Sequence, residues 1–201
     1  MVSIKQRRER EKQEIRQAIL LAARQIALQD GWQSVTIRKV AERIEYSPPT
    51  IYEYFVSKED ILFELYVEGF RQLALALQAA RASVEDPRER LLRMADAYWD
   101  FAMGHQELYQ VMFGMGGVPF DCRGKLSSSH SAICTIQDAL EDWIRATGVS
   151  LPDPQGALAI VRGLMHGLIS LAVVDRIQGG AAEGKKLMRR AIADLLTSWS
   201  V

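Results

Sequence analysis

The fold of this chain is decided by residues 36–62, TIRKVAERIEYSPPTIYEYFVSKEDIL. Thr36 is a favourable N-cap residue and predicts a helix that runs to about Ile44. Ser47 predicts the start of a second helix, and Pro48 falls in its first turn, where a proline loses no hydrogen bond. The stretch therefore predicts two short helices joined by a tight turn.

Two such helices must bury small apolar residues where they cross and must present polar or aromatic side chains outward. Val40, Ala41 and Ile44 supply the crossing. Ile51 and Phe55, one turn apart near the end of the second helix, face inward. This arrangement is typical of a helix-turn-helix whose second helix enters the DNA major groove. The side chains left nearer the outward side are those of Pro48, Pro49, Thr50, Tyr52 and Glu53.

The stretch resembles the helix-turn-helix of the TetR/AcrR family of bacterial transcription regulators, over about residues 10–66. The resemblance implies an all-α fold, with an N-terminal DNA-binding domain and a C-terminal helical domain for ligand binding and dimerisation. It also implies that duplex DNA is a partner. The residues that carry it are Thr36, Ala41, Ser47, the run Thr50-Ile51-Tyr52-x-Tyr54-Phe55, and Ser57, Lys58 and Glu59.

The DNA-contacting positions of that family are matched by residues of this chain. Arg38 matches a position that can read a base, and an arginine suits the O6 and N7 atoms of guanine. Pro48, Pro49 and Tyr52 match positions that touch bases or thymine methyl groups. The resemblance assigns phosphate contacts to Thr36, Thr50, Tyr54 and Lys58, aided by helix N-termini, and Ser47 completes the implied DNA-binding set.

Two residues depart from the family pattern. Glu45 stands in the turn where glycine is usual, and it lacks the easy access of glycine to a left-handed conformation. Glu45 either shapes the turn differently or sits in an ordinary conformation. Glu53 stands where histidine or another donor is common; its carboxylate either accepts from cytosine N4 or lies at a solvated helix end.

The rest of the chain shows helical periodicity and no period-two strand, which predicts an all-α protein of about nine helices. We expect a DNA-binding domain over residues 1–66 and a ligand-binding and dimerisation domain over residues 67–201. A first helix ends near Asp30 and Gly31, where glycine can take the left-handed cap. Ser57 is a favourable N-cap for a long helix at about 58–81. The remaining helices are expected at about 87–103, 105–113, 124–146, 154–177 and 182–199.

Composition sets broad limits on the class of protein. The chain has 201 residues, 48% of them hydrophobic, and a net charge of zero. Residues 1–16 carry six bases and three acids, which fits a phosphate-seeking arm as well as a solvated helix end. No run of eighteen apolar residues and no signal-like segment is found, so we expect a cytoplasmic protein without a membrane partner. Cys122 and Cys134 are too few for a disulfide scaffold and are expected to be structural.

The last two predicted helices carry more apolar surface than one small bundle needs. Gly163, Gly167 and Ser170 are spaced so that another helix can approach closely. The segment 162–171 resembles a C-terminal subgroup of the TetR family whose pattern ends in the pair His166-Gly167, although the tryptophan usual earlier in that pattern is absent. We expect a two-fold homodimer through these helices, with burial inside one chain as the alternative. The predicted interface residues are Ala157, Val161, Leu164, Leu168, Leu171, Leu187, Ala191 and Leu195.

Aromatic residues and methionines are frequent in the fifth to eighth helices. They suit either an ordinary core or a cavity for an apolar or aromatic ligand. His105, His130 and His166 are scattered without metal spacing, and His166 is either a polar anchor in the cavity or a core histidine. The predicted ligand-pocket residues are Tyr98, Trp99, Phe101, Met103, Tyr109, Met112, Phe113, Trp143, Met165 and His166.

These patterns predict a homodimeric repressor that binds a palindromic operator, with half-sites roughly 34 Å apart or slightly more. An unknown small effector would favour a second state that fits DNA less well. The rival hypotheses are a nucleoid- or division-associated DNA-binding factor without a ligand, and an enzyme or interaction module that has lost DNA binding. No nucleophile–base set, phosphate loop or metal motif is found, so no enzyme activity, catalytic residue, metal or cofactor is predicted.

Overall fold

The computed structural model describes residues 4–118 and 127–200, without the side chains of residues 127–130. These residues form nine α-helices and a 3₁₀ turn, Trp32–Ser34, with no strand among them, so the predicted all-α class is confirmed. The helices are α1 (Ile4–Asp30), α2 (Ile37–Arg43), α3 (Pro48–Tyr52), α4 (Lys58–Ala82), α5 (Pro87–Gly104), α6 (Gln106–Phe113), α7 (Ser127–Thr147), α8 (Pro154–Val173) and α9 (Gly180–Trp199).

Short polar side chains cap the starts of α2, α4, α5 and α8. The Thr36 hydroxyl accepts from the backbone N–H of Lys39 at 3.2 Å, which caps α2. The Ser57 hydroxyl accepts from the N–H of Asp60 at 3.3 Å, where α4 begins. Both caps were predicted, and each satisfies a backbone donor that the helix itself cannot pair.

The end of α8 differs from the expectation. The helix stops at Val173 instead of near residue 177, because Asp175 takes a left-handed conformation with φ of 53°. The N–H groups of Asp175 and Arg176 then donate to the carbonyls of Ala172 and Leu171, at 3.1 and 2.8 Å. This is the bonding pattern of a Schellman cap. As a result α9 begins at Gly180, earlier than expected.

The chain divides into two compact units. Unit 1 comprises Met1–Gly69 and Glu107–Gly124, and unit 2 comprises Phe70–Gln106 and Lys125–Val201. The helix α6 therefore packs with the N-terminal helices, although it follows α5 in sequence. A boundary at residue 66, which the sequence suggests, assigns α6 to the second domain, whereas the contacts place α6 in unit 1.

Unit 2 is built around α5, which packs on α7, α8 and α9. Ion pairs border its apolar core. Arg189 of α9 contacts Glu89 of α5 at 2.8 Å, and Arg81 of α4 contacts Asp142 of α7 at 2.7 Å. Each arginine hydrogen-bonds its carboxylate and thereby lowers the pKa of Glu89 or Asp142.

The helix α8 combines high hydropathy with low burial. By length and composition it could cross a membrane, with a mean hydropathy of 1.7 over eighteen residues, of which 28% are buried. It does not form an unbroken apolar run in the sequence, because Arg162 and His166 interrupt it. Ile160 and Leu171 are 53% and 43% exposed. An apolar face of this helix is thus open on the single chain.

Candidate nucleic-acid interface and effector cavity

The crossing of α2 and α3 is closely packed. Val40, Ala41, Ile51 and Phe55 are each at most 1% exposed. These four residues were predicted to lie inside, and their burial fixes the orientation of both helices. Neither α2 nor α3 is long enough to be stable alone in water, so both depend on this tertiary packing.

The turn between these helices keeps a glycine-like geometry without a glycine. Glu45 has φ of 60°, so it adopts the left-handed conformation. The N–H of Tyr46 donates to the carbonyl of Ala41 at 2.9 Å, and the N–H of Glu45 donates to that of Glu42 at 3.3 Å. This Schellman pattern ends α2, as it ends α8. Glu45 therefore does not sit in an ordinary conformation, and its left-handed geometry carries a conformational cost.

The outward face of the motif carries most of the residues assigned to DNA. Thr36, Arg38, Ser47, Pro48 and Pro49 are exposed, and Thr50 is half-buried. Tyr52 is 56% exposed, whereas Tyr54 is half-buried, in keeping with their spacing of two residues. Glu53 is exposed and forms the C-cap of α3.

Ser47 does not cap α3 with its side chain, contrary to expectation. Its hydroxyl instead lies 2.9 Å from the hydroxyl of Thr50. Pro49 removes the N–H of the second helix position, and the Thr50 N–H of the third donates to the Ser47 carbonyl at 3.0 Å, so no donor is left for the hydroxyl to cap. The two hydroxyls hold each other on the exposed face.

Arg16 of α1 is a positioning residue that sequence reasoning did not single out. Its guanidinium donates to the carbonyl of Tyr54 at 2.9 Å and to the carboxylate of Glu64 at 3.0 Å. It also lies 4.4 Å from the centre of the Phe55 ring. The hydrogen bond to Tyr54 fixes the chain just after α3. Only its place among the bases of α1 marked Arg16 in the sequence, because Tyr54 lies 38 residues away.

Lys58 is engaged inside unit 1. Its ammonium group donates to the carbonyl of Trp32 at 2.8 Å. Burial lowers the pKa of Lys58. The expectation that this side chain holds a phosphate stays a prediction, and the N-terminus of α4 offers a phosphate-binding group that does not depend on the ammonium.

The helix α6 is fastened to α1 and to the 3₁₀ turn by a buried charge. Glu107 is 4% exposed, and its carboxylate accepts from the Arg24 guanidinium at 2.6 and 2.9 Å. The indole N–H of Trp32 donates to the carbonyl of Glu107 at 3.2 Å. Gly69 of α4 lies against the Met112 side chain, so α6 also meets α4 within unit 1. Sequence patterns gave no sign of the pair formed by Arg24 and Glu107, since its members lie 83 residues apart.

Unit 2 contains an enclosed apolar cavity of about 10 Å³. That is room for one water molecule at most, and the walls offer such a water no polar side chain. This cavity is therefore too small for an effector in this conformation. The cavity is lined by Leu77, Leu91, Met94, Ala95, Ile136, Val161, Met165, Ile192 and Leu196.

The structure brings together only part of the predicted pocket set. Met165 lines the cavity. Tyr109, Met112 and Phe113 belong to unit 1, where the Tyr109 and Phe113 rings lie 4.6 Å apart. The others belong to unit 2 and lie at various places in its core and rim. They are Tyr98, Trp99, Phe101, Met103, Trp143 and His166.

The polar residues noted in this region have different positions. His166 is half-buried, and desolvation lowers its pKa. Cys134 is half-buried. Cys122 and the His130 side chain lie outside the described residues. Within those residues no cluster of His, Cys, Asp and Glu could hold a metal ion.

The predicted interface residues fall into two groups. Ala157 and Val161 are 5% and 3% exposed, so they lie in the core of their own chain and offer little area to a partner. The remaining six are half-buried or exposed. They are Leu164, Leu168, Leu171, Leu187, Ala191 and Leu195.

Two crossed helices with an exposed polar and aromatic face define a DNA-binding protein of the helix-turn-helix class. A model of bacterial regulatory proteins of the tetR family matches residues 19–65. A model of the tetracyclin repressor-like C-terminal domain matches residues 91–195. The chain belongs to the TetR family and is a DNA-binding transcriptional regulator.

Individual relatives are distant in sequence. The chain is 25% identical over 100 residues to the HTH-type transcriptional activator FasR of Mycolicibacterium smegmatis; these residues are 50% of the chain and 46% of that relative. The match thus spans about half of the relative's length. The TetR-family regulator PfmR of Thermus thermophilus is 20% identical with a TM-score of 0.71, over 88% of this chain and 97% of PfmR. FadR of Bacillus subtilis, solved with stearoyl-CoA, is 19% identical with a TM-score of 0.73, over 90% and 97%.

Proposed function

We propose that the protein is a homodimeric, ligand-responsive repressor that acts in the cytoplasm on a palindromic operator. The observation that carries this proposal is the exposed face of α2 and α3, held rigid by the buried crossing of Val40, Ala41, Ile51 and Phe55. Two copies related by a two-fold axis present two such faces, and a palindrome matches that symmetry. Half-sites should be separated by about one helical turn, roughly 34 Å, or slightly more.

The open face of α8 and α9 supports dimerisation. Ile160, Leu171, Val174 and Leu187 are 53%, 43%, 56% and 38% exposed on the single chain. A Cβ atom added at Gly163 or Gly167 would meet nothing within 4 Å, so another helix can approach closely there. Exposed apolar area of this kind marks an interaction surface, and a second copy covers it symmetrically.

The cavity in unit 2 supports an apolar effector. An effector of ordinary size needs some hundreds of Å³, so it can enter only if the body opens around it. Met94 and Met165 line the cavity, and their flexible side chains allow such opening. The predicted aromatic residues Tyr98, Trp99 and Trp143 are buried in the same unit, and an opening that reached them would widen the site. The acyl-CoA bound by the similar FadR fold agrees with an apolar or aromatic effector.

An effector changes DNA affinity only if it binds two states unequally. We propose that the closed body accompanies the DNA-binding state and that the opened body accompanies the released state. Effector binding then lowers operator affinity by the ratio of its affinities for the two states. Activation in place of repression, as the name of FasR states for that relative, would follow from operator position and not from a different site.

A DNA-binding nucleoid- or division-associated factor without a ligand is the second candidate. The cavity volume of about 10 Å³ favours it, because a body that never opens needs no larger space. Thermal melts against a panel of acyl and aromatic compounds separate the two. An effector must raise the melting temperature by mass action, whereas a permanently filled body gives no shift with any compound.

The central experiment is selection of duplexes from a random pool by the purified chain, followed by binding titrations. Recovery of an inverted repeat supports the proposal, and recovery of no enriched sequence contradicts it. Arg38→Ala should weaken binding to the recovered site by about 1–3 kcal/mol and relax one position of each half-site. The Arg38→Ala/Tyr54→Ala variant lacks two of the predicted DNA contacts. Wild-type activity in this variant would favour an enzyme or interaction module that has lost DNA binding.

A further inference from the structure

The first three turns of α1 contain no buried residue. Every residue of Ile4–Glu14 is exposed. At 1.5 Å per residue this segment is about 16 Å long. It precedes residue 19, where the match to the tetR family model begins. The segment therefore carries a surface that the helix-turn-helix does not account for.

The bases of this segment lie on a defined helix face. Lys5, Arg8 and Lys12 recur at spacings of three and four residues, so they share one face, and Arg16 continues it one turn later. We call Lys5, Arg8 and Lys12 the basic face. Arg10 projects from the opposite side of the same helix. Glu11 and Glu14 lie outside the sector spanned by the basic face, whereas Glu9 borders it, four residues after Lys5 and three before Lys12.

The basic face points to the end of the recognition helix α3. Arg16, on the same side of α1, is bonded to the Tyr54 carbonyl. Arg8 and Lys12 line one concave surface together with Glu53 and Tyr54. The cations are thus placed beside the helix that enters the major groove.

The charges around these cations leave them available. Among the described residues, neither Arg8 nor Lys12 forms an ion pair. Glu11 lines the same concave surface but is paired with Arg7 at 2.9 Å. Glu53 is the remaining carboxylate on that surface, and Glu9 borders the basic face, so the three bases exceed these two acids by one charge.

We propose that Lys5, Arg8 and Lys12 bind backbone phosphates of the duplex that flanks the base pairs read by α3. The inference rests on the proposed operator binding and extends its footprint outward. Cations at a spacing of one helical turn suit a row of phosphates, which carry one charge per about 1.7 Å of duplex axis. These contacts add affinity and fix register without reading sequence.

The composition of the segment favours nucleic acid over a lipid surface. Residues 5–14 read KQRREREKQE and contain no apolar side chain. A helix that lies on a membrane needs an apolar face to bury among the acyl chains. The basic face has none, so its attraction is to phosphates alone.

The test uses the full chain and the operator recovered by in vitro selection, both trimmed to its core and extended by ten flanking base pairs on each side. Arg8→Gln, Lys12→Gln and the double variant are compared with Arg10→Gln, which removes the same charge from the opposite face. Affinities are measured by fluorescence anisotropy over a range of salt concentrations. Circular dichroism checks that α1 stays helical.

Wild type and Arg10→Gln should gain affinity from the flanks, and the double variant should not. The slope of log affinity against log salt should fall by about 0.9 for each phosphate that the variant no longer neutralises. Equal slopes for the double variant and Arg10→Gln overturn the inference while leaving operator binding intact. The same holds if the variant loses only its binding to anionic vesicles of phosphatidylglycerol. Failure to select any operator would instead count against the proposed function.

Discussion

Glu45 occupies a backbone conformation that costs free energy for any residue with a Cβ. Its φ of 60° is set by the Schellman bonds that end α2. The left-handed conformation costs a non-glycine residue about 1–2 kcal/mol. The turn persists because the burial of Val40, Ala41 and Ile51 determines where α3 must lie.

Glu45→Gly should therefore stabilise the protein, by about 1 kcal/mol once the greater freedom of glycine in the unfolded chain is counted. Urea unfolding at several wavelengths measures the change. Glu42→Gly is the matched control: it places glycine inside α2 and should destabilise by about 1 kcal/mol. If both variants changed the free energy of unfolding in the same direction, the explanation would be contradicted.

His166 should make stability depend on pH. Its pKa in the folded chain is below the ordinary value of 6.5 because burial disfavours the charged form. The unfolded chain then binds more protons as the pH falls through 6.5, so the folded state loses stability on acidification. His166→Gln should reduce the change in melting temperature between about pH 7.5 and 5.5, the range in which an ordinary histidine titrates. An unchanged slope in this variant would assign the effect to other groups.

Sequence reasoning succeeded for residues whose role is local. Thr36 and Ser57 cap because their hydroxyls reach an N–H three residues ahead, a distance that the sequence itself states. It failed for Ser47, where Pro49 lacks one donor and the Ser47 carbonyl takes the other, and it could not foresee the bond of Lys58 to the Trp32 carbonyl. Arg16 acts through Tyr54 and Glu64, which only the folded chain brings near.

At the scale of elements, α6 is held in unit 1 by one buried carboxylate. The Arg24 guanidinium pairs with the Glu107 carboxylate, and the Trp32 indole N–H donates to the backbone carbonyl of Glu107. A buried ion pair contributes little net stability compared with a well-packed apolar substitute, but removal of one partner leaves a charge without compensation. The pair therefore serves mainly to specify where α6 docks.

Arg24→Met should destabilise the protein by about 3 kcal/mol, because the Glu107 carboxylate stays buried at 4% exposure. The double variant Arg24→Met/Glu107→Met should be more stable than Arg24→Met alone. Urea unfolding of the singles and the double forms a complete cycle. Strictly additive effects would show that the two side chains do not interact.

Element boundaries followed the sequence where a cap or a proline marks them and departed from it elsewhere. Pro87 and Pro154 both stand at the first position of a helix, as expected. The early end of α8 depends on Asp175, which adopts a left-handed conformation. Sequence patterns predict that conformation for a glycine, and the next glycines are Gly179 and Gly180. The location of α6 in unit 1 depends on long-range contacts and has no local signal.

At the scale of the whole molecule, the exposed side of α8 and α9 is predicted to be covered by a second copy. Leu171→Glu/Leu187→Glu replaces side chains that are 43% and 38% exposed, so the single chain should still fold. Burial of four unpaired carboxylates per dimer should weaken self-association by about 100-fold or more. Sedimentation equilibrium measures the dissociation constant.

Leu75→Glu provides the control for that variant. Leu75 lies on α4 and is 52% exposed, so it tests a new surface charge outside α8 and α9. It should leave the dissociation constant within about threefold of the wild-type value. A wild-type chain that sediments as a monomer at micromolar concentration would contradict the dimer proposal.

The return of α6 to unit 1 also limits how a regulator of this kind can be recombined. A chimera joined at residue 66 would receive Arg24 and Trp32 from one parent and the residue at position 107 from the other. Unless the second parent also has a carboxylate there, the Arg24 guanidinium loses the Glu107 partner that holds α6 in unit 1. Exchange of DNA specificity between relatives therefore needs one joint within α4 and two more on either side of α6. The DNA-binding unit of the donor is then transferred together with its own α6.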